Sequence, residues 1–378
     1  MDELVGMASM MLMMMLLLPV TGVLMAVTPF LQRRGEVFAV TVPSSAQRDP
    51  YLRSLKRRYA LIMGAVTAVL TAAGVAAALA MNEAAIMVVL LVGTLGLLLG
   101  GYALMLRYRA KTKAYKREQG WEAQVQETVA VVGEADAPRA IALSWNLLYV
   151  PVILVTVAIA VVGYPHMPDM IPMHASFDGT VNRWEPKGPM VVAFPVLMQL
   201  FLAACMVFSH WTILKSKKWA EPGAPATSAL AYGLFARAQS VFLLVSGLLL
   251  TGGLGILFEL SSMELVSLGQ AAFFVMLLAM PIVVGSLVIG VVYGQAGSRV
   301  FKRMQGSDAL LADDDEHWKF GIFYVNPDDL AFVLPERFGV GWTFNYARPV
   351  TWVIVVGGFL VTVAFIVAVS VGGADVFP

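Results

Sequence analysis

Cysteine, charge and histidine are all scarce in this chain, and each scarcity removes a class of protein. The single cysteine, Cys205, allows neither an internal disulfide nor a paired-cysteine metal site. Charged residues make up 13%, about half of what a soluble domain carries. Four histidines are present, none in an H-E-x-x-H arrangement, so the familiar helix-borne zinc protease is excluded. Nucleic-acid binding is not indicated, and the net charge of +1 is uninformative because the charges are sorted by side and not by sign. What fills the chain instead is apolar: 59% of residues are hydrophobic.

Those residues fall into eight stretches, roughly 4–28, 60–80, 86–106, 144–163, 190–210, 238–258, 267–294 and 350–372. Each is long enough, at about 1.5 Å per residue, to cross a hydrocarbon layer about 30 Å thick. If successive stretches cross in opposite directions, 24 of the 26 Lys and Arg residues lie on one side, leaving Arg183 and Lys187 opposite. Positive loops stay in the cytoplasm, so both termini are expected outside. The first stretch starts acidic, at Asp2 and Glu3, and exceeds a signal-peptide core in length, which reads as a retained helix. The expectation is an all-α polytopic membrane protein with eight transmembrane helices, N-out and C-out. It adds a small cytoplasmic β-rich module and an extracellular β-hairpin loop.

The divisions follow from that layout: 1–143, a three-helix membrane region with basic inner loops; 144–210, helix, outer loop 164–189, helix; 211–294, two further helices; 295–349, a cytoplasmic module rich in Gly and aromatics; 350–378, the last helix and an outer tail. In the first inner loop, Glu36–Pro43 alternates as a strand does, and Asp49-Pro50 reads as an N-cap and first helical residue. Segments Gly133–Pro138 and Pro222–Pro225 read as linkers. In the last inner segment, Gly321–Val325 suits a strand, Asn326-Pro327-Asp328 a turn, and Phe332–Pro349 a second strand-and-turn unit. Because two-stranded ribbons are marginal alone, Glu36–Pro43 is expected to pair with one of these strands.

The outer loop is dense in proline and centres on Asp178-Gly179, a two-residue hairpin signal between arms Ile171–Phe177 and Thr180–Trp184. His166, Asp169, His174 and Asp178, with Glu185, supply imidazole and carboxylate groups of the kind that suit zinc. None of the spacings is a recognised ligand pattern. The plainer reading packs His174 against Trp184 across the hairpin and leaves Asp178 to form its turn. Asp2, Glu3 and Glu259 are the acidic groups of the spans, all near span ends, which argues against a proton-driven pump. Asn146, Gln199, Gln239 and Gln270 read as glue between helices. His210 beside Trp211 reads as interfacial, and His317, after an acidic run, as exposed.

In the outer loop, Met167, Pro168, Ile171, Pro172, His174, Gly179, Asn182, Trp184 and Lys187 form a pattern that resembles the signature of SdpI-like bacterial integral membrane proteins. Met167 stands where Leu is common and Asn182 where Asp is frequent, so no carboxylate is offered there. Tyr324, Asn326, Pro327, Asp328, Arg337, Phe338, Gly339, Gly341, Trp342, Asn345 and Pro349 are similar to a second uncharacterised module that often accompanies the first. The resemblance implies a non-enzymatic protein of the bacterial cytoplasmic membrane, without cofactor. Its namesake gives immunity to an exported toxic peptide and relays the toxin's presence to a repressor. The partners expected on that basis are the lipid bilayer, an extracellular amphipathic peptide and a cytoplasmic regulator, with no nucleic acid. The residues singled out are His174, Asp178, Asn182, Trp184 and Lys187 outside, as ligand- or partner-binding, and Asn326, Arg337, Trp342 and Asn345 inside, as partner-binding or structural. Two competing readings are a membrane-embedded metal-dependent enzyme built on the His/Asp cluster and a passive transporter for an apolar solute.

Overall fold

A computed structural model describes residues 2–33, 35–80, 82–122, 138–175, 181–218, 224–304, 313–339 and 341–374. Long helices dominate it. In chain order they are α1 (Asp2–Leu31), α2 (Pro50–Leu79), α3 (Glu83–Glu118), α4 (Tyr149–Gly163), α5 (Pro189–Lys215), α6 (Pro225–Ser262), α7 (Leu268–Val292), the short α8 (Ser298–Met304) and α9 (Pro349–Ala374). Between them lie strands β1 (Glu36–Val37), β2 (Val40–Thr41), β3 (Met170–Ala175), β4 (Val181–Pro186), β5 (Trp318–Lys319), β6 (Phe323–Tyr324), β7 (Val333–Pro335) and β8 (Trp342–Phe344).

Among the described residues, seven helical segments are long and apolar enough to cross a membrane, and a shorter apolar run, Leu16–Leu31, lies within α1. Their starts are written in the sequence. Proline occupies the first turn of α2, α5 and α6 and opens α9, where its missing N–H costs nothing. The Asp49 carboxylate accepts from Leu52 N at 3.0 Å, as its cap position requires. Gln270 is spent at a helix start, closing a capping box with Ser267, and is not glue between helices. Helix α6 begins at Pro225, so residues 225–237 extend the sixth span and are not a loop. Large apolar side chains such as Leu61, Val69, Val162, Val353 and Phe359 stand more than half exposed along the helices. A belt of that size needs lipid, not water, around it.

The helices form two neighbouring groups. α1, α2 and α3 pack on one another, α4, α5 and α6 do likewise, and α7 touches both α1 and α6. Each of the four small sheets is an antiparallel pair of sequential strands. The expected pairing of Glu36–Pro43 with a C-terminal strand does not occur: β1 pairs with β2, with Val37 opposite Val40. The turn between them, Phe38-Ala39, has φ of +48° and +57°, a mirror-image turn with none of the usual Asn or Gly. Phe38 is fully buried among Tyr59 and Tyr108, with ring centroids 5.8 and 5.3 Å away. That burial opposes the backbone strain. Gly321, expected in a strand, instead sits in the β5–β6 turn at φ +80°.

Candidate functional sites: a proline-rich hairpin and a buried charge clamp

At one end of the molecule, β3 and β4 form the hairpin predicted from the sequence, over Met170–Ala175 and Val181–Pro186. The register sets Pro172 against Trp184 and His174 against Arg183, with bulges on either side of His174. His174 and Trp184 are therefore not a cross-strand pair. His174 Nδ1 lies 2.7 Å from Asn182 Oδ1 on the exposed face. Trp184 and Met170 are 42% and 47% exposed, a large apolar offering for so small an element.

The opposite face is anchored. Ile171, Met167 and Val191 are buried together, against Phe258 and Met263 at the end of α6. Lys187 Nζ donates to Met167 O at 3.0 Å and lies 4.8 Å above the Tyr164 ring. Arg183 pairs with Glu185. Asp178 and Gly179 lie outside the described residues. Among those described, no three His, Cys, Asp or Glu side chains come together as a metal site, and His166 and Asp169 are exposed.

The other end holds a feature that the sequence showed only in fragments. Arg337 is 2% exposed and surrounded by acids. Its guanidinium donates to Asp314 and Asp315, to Thr41 Oγ1 at 2.9 Å and to Ala39 O at 3.3 Å, and lies 3.6 Å from a Glu36 oxygen. The Trp318 ring stacks 5.0 Å away, and its Nε1 donates to Asp314 at 3.2 Å. Asp315 also accepts from the Thr41 backbone N–H at 2.9 Å and from Lys116, 2.9 Å away. Arg109 donates to Ala39 O and, at 3.0 Å, to Trp318 O.

One clamp thus ties the β1–β2 turn, the extension of α3, the acidic run and Arg337, segments up to about 300 residues apart in the chain. Its electrostatics follow the geometry. Burial drives the Asp315 carboxyl up, but Arg337 and Lys116 outweigh it and hold the group well below the ordinary carboxylate range. At Glu36 burial wins over Arg33 and Arg337, and the carboxyl is raised.

The other predicted residues of this end support the module from inside. Asn345 is fully buried; its amide donates to Asn326 O, Asp329 O and Ala331 O at 2.7, 3.1 and 3.2 Å, and its oxygen accepts from Asn326 N and Ala347 N. Asn326 Nδ2 donates to the Tyr324 hydroxyl at 3.1 Å. Trp342 packs on Phe235 of α6, centroids 5.8 Å apart. His317 is half-buried, its ring edge-on to Tyr324.

Toward the end of α5, His210 is buried: Asn146 Nδ2 donates to its Nδ1 at 2.8 Å, and its Nε2 donates to Ile141 O at 3.0 Å. Glu36, Arg109, Lys116, Asp314 and Asp315 were missed as a group. The only sequence signal was the coincidence of Arg109 and Lys116, two helical turns apart, with an acidic run elsewhere.

These features define a multi-pass membrane protein carrying two small structured ends. Residues 152–199, which include the hairpin, match the model of a domain of unknown function, DUF1648, found in SdpI-like membrane proteins. Residues 327–352 match that of a family of unknown function, DUF5808. Comparison with curated proteins gives no match, and neither does comparison with solved structures.

Proposed function

We propose that this is a non-enzymatic receptor or immunity protein of the bacterial cell membrane, with eight spans and both termini outside. It receives an extracellular amphipathic peptide on the hairpin and passes its presence to the cytoplasmic module. The observation that carries this reading is the hairpin itself. An anchored element offers Trp184 and Met170 to solvent beside the His174–Asn182 pair and the Arg183–Glu185 pair, an apolar centre with a polar rim. Lys187 at the base belongs to the same surface, and Asp178, which lies outside the described residues, is proposed as a further binding residue.

A route inward supports the second half of the reading. Helix α7 touches β3 at one end. Just beyond its other end, Gln295 donates to Glu336 O and Gly341 O at 3.2 and 2.7 Å, next to Arg337. A peptide that shifts the hairpin would therefore pull on the clamp loop, where Asn326, Trp342 and Asn345 hold the surface facing a cytoplasmic regulator.

The test is a peptide-challenge assay in cells expressing the full chain. Trp184→Ala and His174→Ala should lower resistance at least tenfold without changing expression or stability; unchanged resistance in both would defeat the receptor role. Reporter fusions at residues 180 and 330 should report opposite compartments.

A further inference from the structure

Helix α6 presents a buried polar face to α4 and α5 that glue between helices does not account for. Ser240, Gly247, Thr251, Gly255 and Glu259 follow one another along it, all buried. From Ser240 to Glu259 is about 28 Å at 1.5 Å per residue, nearly the thickness of a hydrocarbon core. Each lower position has a counterpart. Ser240 Oγ accepts from Ile141 N at 3.1 Å. A methyl at Gly247 would lie 1.9 Å from the Tyr149 hydroxyl. Gln199 Nε2 donates to Thr156 Oγ1 and Thr251 O at 2.8 and 2.9 Å, filling the space a methyl at Gly255 would need, 2.0 Å away.

One turn beyond Gly255 comes Glu259, fully buried, and among the described residues neither of its carboxylate oxygens has a hydrogen-bond partner. Gln199 Oε1 and Thr251 Oγ1 on the same face are also unpartnered. Met263 closes the end: its N–H donates to Glu259 O at 3.1 Å, and its sulfur occupies the position a methyl on Gly163 of α4 would take.

An ionised carboxylate accepts hydrogen bonds and donates none, so an enclosed one without donors is the costliest state available to it. Among the described residues, the charged groups near this end are exposed or paired elsewhere. Hairpin residues His166, Asp169 and His174 are exposed, Arg183 is paired with Glu185, and Lys187 is held by Met167 O and the Tyr164 ring. Glu264 in the next turn is exposed, and α7 contributes no charged residue between Leu268 and Val292. Asp178 lies outside the described residues. No three-ligand metal grouping exists among the described residues, and the Gln199 amide fills the adjoining space. The cation that fits is a proton.

We propose that Glu259 is a proton-binding site whose occupancy is linked to the closure of the α4–α6 seam beneath the hairpin. The seam closes over the neutral carboxyl, taking up one proton from the hairpin side. Loss of that proton drives Glu259 toward water and lifts Met263, Met167 and Ile171 apart. The proposal stands whether or not the hairpin receives a peptide.

The test uses the full-length protein in lipid nanodiscs. Dicyclohexylcarbodiimide, which reacts with protonated carboxyls in apolar surroundings, is applied across a pH series and adducts are mapped by mass spectrometry. Hydrogen exchange is followed in parallel at Met167 and Ile171. The wild type should be labelled at Glu259, with labelling falling about tenfold per pH unit above its transition. Exchange at the hairpin base should rise over the same range beyond its intrinsic pH dependence, and Glu259→Gln should abolish that excess. Absence of adduct at Glu259 at every pH overturns the site. Hairpin exchange identical in wild type and Glu259→Gln overturns the linkage. Should the variant be poorly produced, the wild type decides: labelling that does not track exchange refutes the proposal.

Discussion

The two buried acidic sites of this molecule solve opposite problems. In the clamp, Asp314, Asp315 and Glu36 surround one guanidinium, Lys116, Arg33 and backbone donors add further partners, and among the described residues Glu36 Oε2 is left without a hydrogen-bond partner. In the α4–α6 seam, Glu259 has neither cation nor donor among the described residues. The contrast teaches that burial of a carboxyl does not by itself indicate its role. A cluster of paired charges holds segments in place, because moving any member strands the others. A solitary carboxyl is free to change state, because only its own proton is at stake.

The largest expected effect breaks the paired side. Arg337→Met leaves three acids facing one another around an apolar side chain. Removing one partner of a buried pair costs about 3–5 kcal/mol. Asp314, whose side chain is 48% exposed, recovers part of this through water, so the lower end, about 3 kcal/mol, is expected. Thermal unfolding with limited proteolysis across residues 313–339 measures it. An unchanged profile would mean that the clamp does not hold the module.

Asn345→Ala comes next. It deprives three carbonyls and two N–H groups of their shared partner, and unsatisfied buried groups cost about 1–3 kcal/mol each unless the structure relaxes. With relaxation, about 2 kcal/mol is expected, read from the same unfolding transition. Asn345→Asp should be at least as damaging, because a carboxylate donates nothing to the carbonyls of Asn326, Asp329 and Ala331.

The pH dependence separates the acids within the clamp. Asp315 is held low, so its contribution is present above the ordinary carboxylate range and disappears only as pH falls through its depressed value. Glu36 is raised, so its ionisation weakens the fold, and that penalty appears as pH rises through its elevated value. Acidification down to the ordinary carboxylate range should therefore leave the clamp intact or slightly tighter, with loss setting in from that range downward and becoming complete only in strong acid. Glu36→Gln should be neutral or stabilising by up to about 1 kcal/mol at neutral pH. An unfolding series showing no loss of stability from the ordinary carboxylate range down into strong acid would contradict the Asp315 assignment, and one showing loss already above that range as pH falls would contradict the Glu36 assignment.

Much of this architecture was readable in advance because its causes are local. Twenty apolar residues in a row need no partner to declare a helix, and Asp49-Pro50 declares where one starts. The strands flanking Asp178-Gly179 do pair, but one residue out of the register a two-residue turn sets there: Ala175 stands opposite Val181 and Ile171 opposite Glu185, and the turn itself lies outside the described residues. What could not be read depends on residues far apart or on exceptions to local rules. Nothing near Arg337 names Glu36 or Thr41, about 300 positions earlier. Phe38-Ala39 turns without Asn or Gly, so Glu36–Pro43 reads as one strand when it is two. Nothing beside His210 names its partners Asn146, 64 positions earlier, and Ile141, 69 positions earlier. Glu259 falls just past the end of an apolar run, where a carboxyl looks harmless.

The smallest expected effect tests whether the clamp or the turn supplies the strain at Ala39. A left-handed residue with a side chain costs roughly 1–2 kcal/mol, which Ala39→Gly relieves. Against this, glycine adds roughly 0.5–1 kcal/mol of backbone entropy to lose, and the fully buried methyl forfeits about 0.8 kcal/mol of burial. The terms nearly cancel, so Ala39→Gly should shift stability by no more than about 0.5 kcal/mol. Phe38→Gly relieves the same strain but empties the site between Tyr59 and Tyr108, and should cost several times as much. If Ala39→Gly instead stabilises by well over 1 kcal/mol, the hydrogen bonds from Arg109 and Arg337 to the Ala39 carbonyl are what force the turn. The clamp then stores strain as well as charge, and the difference between the two acidic sites narrows: both would be poised, one by a proton and one by its backbone.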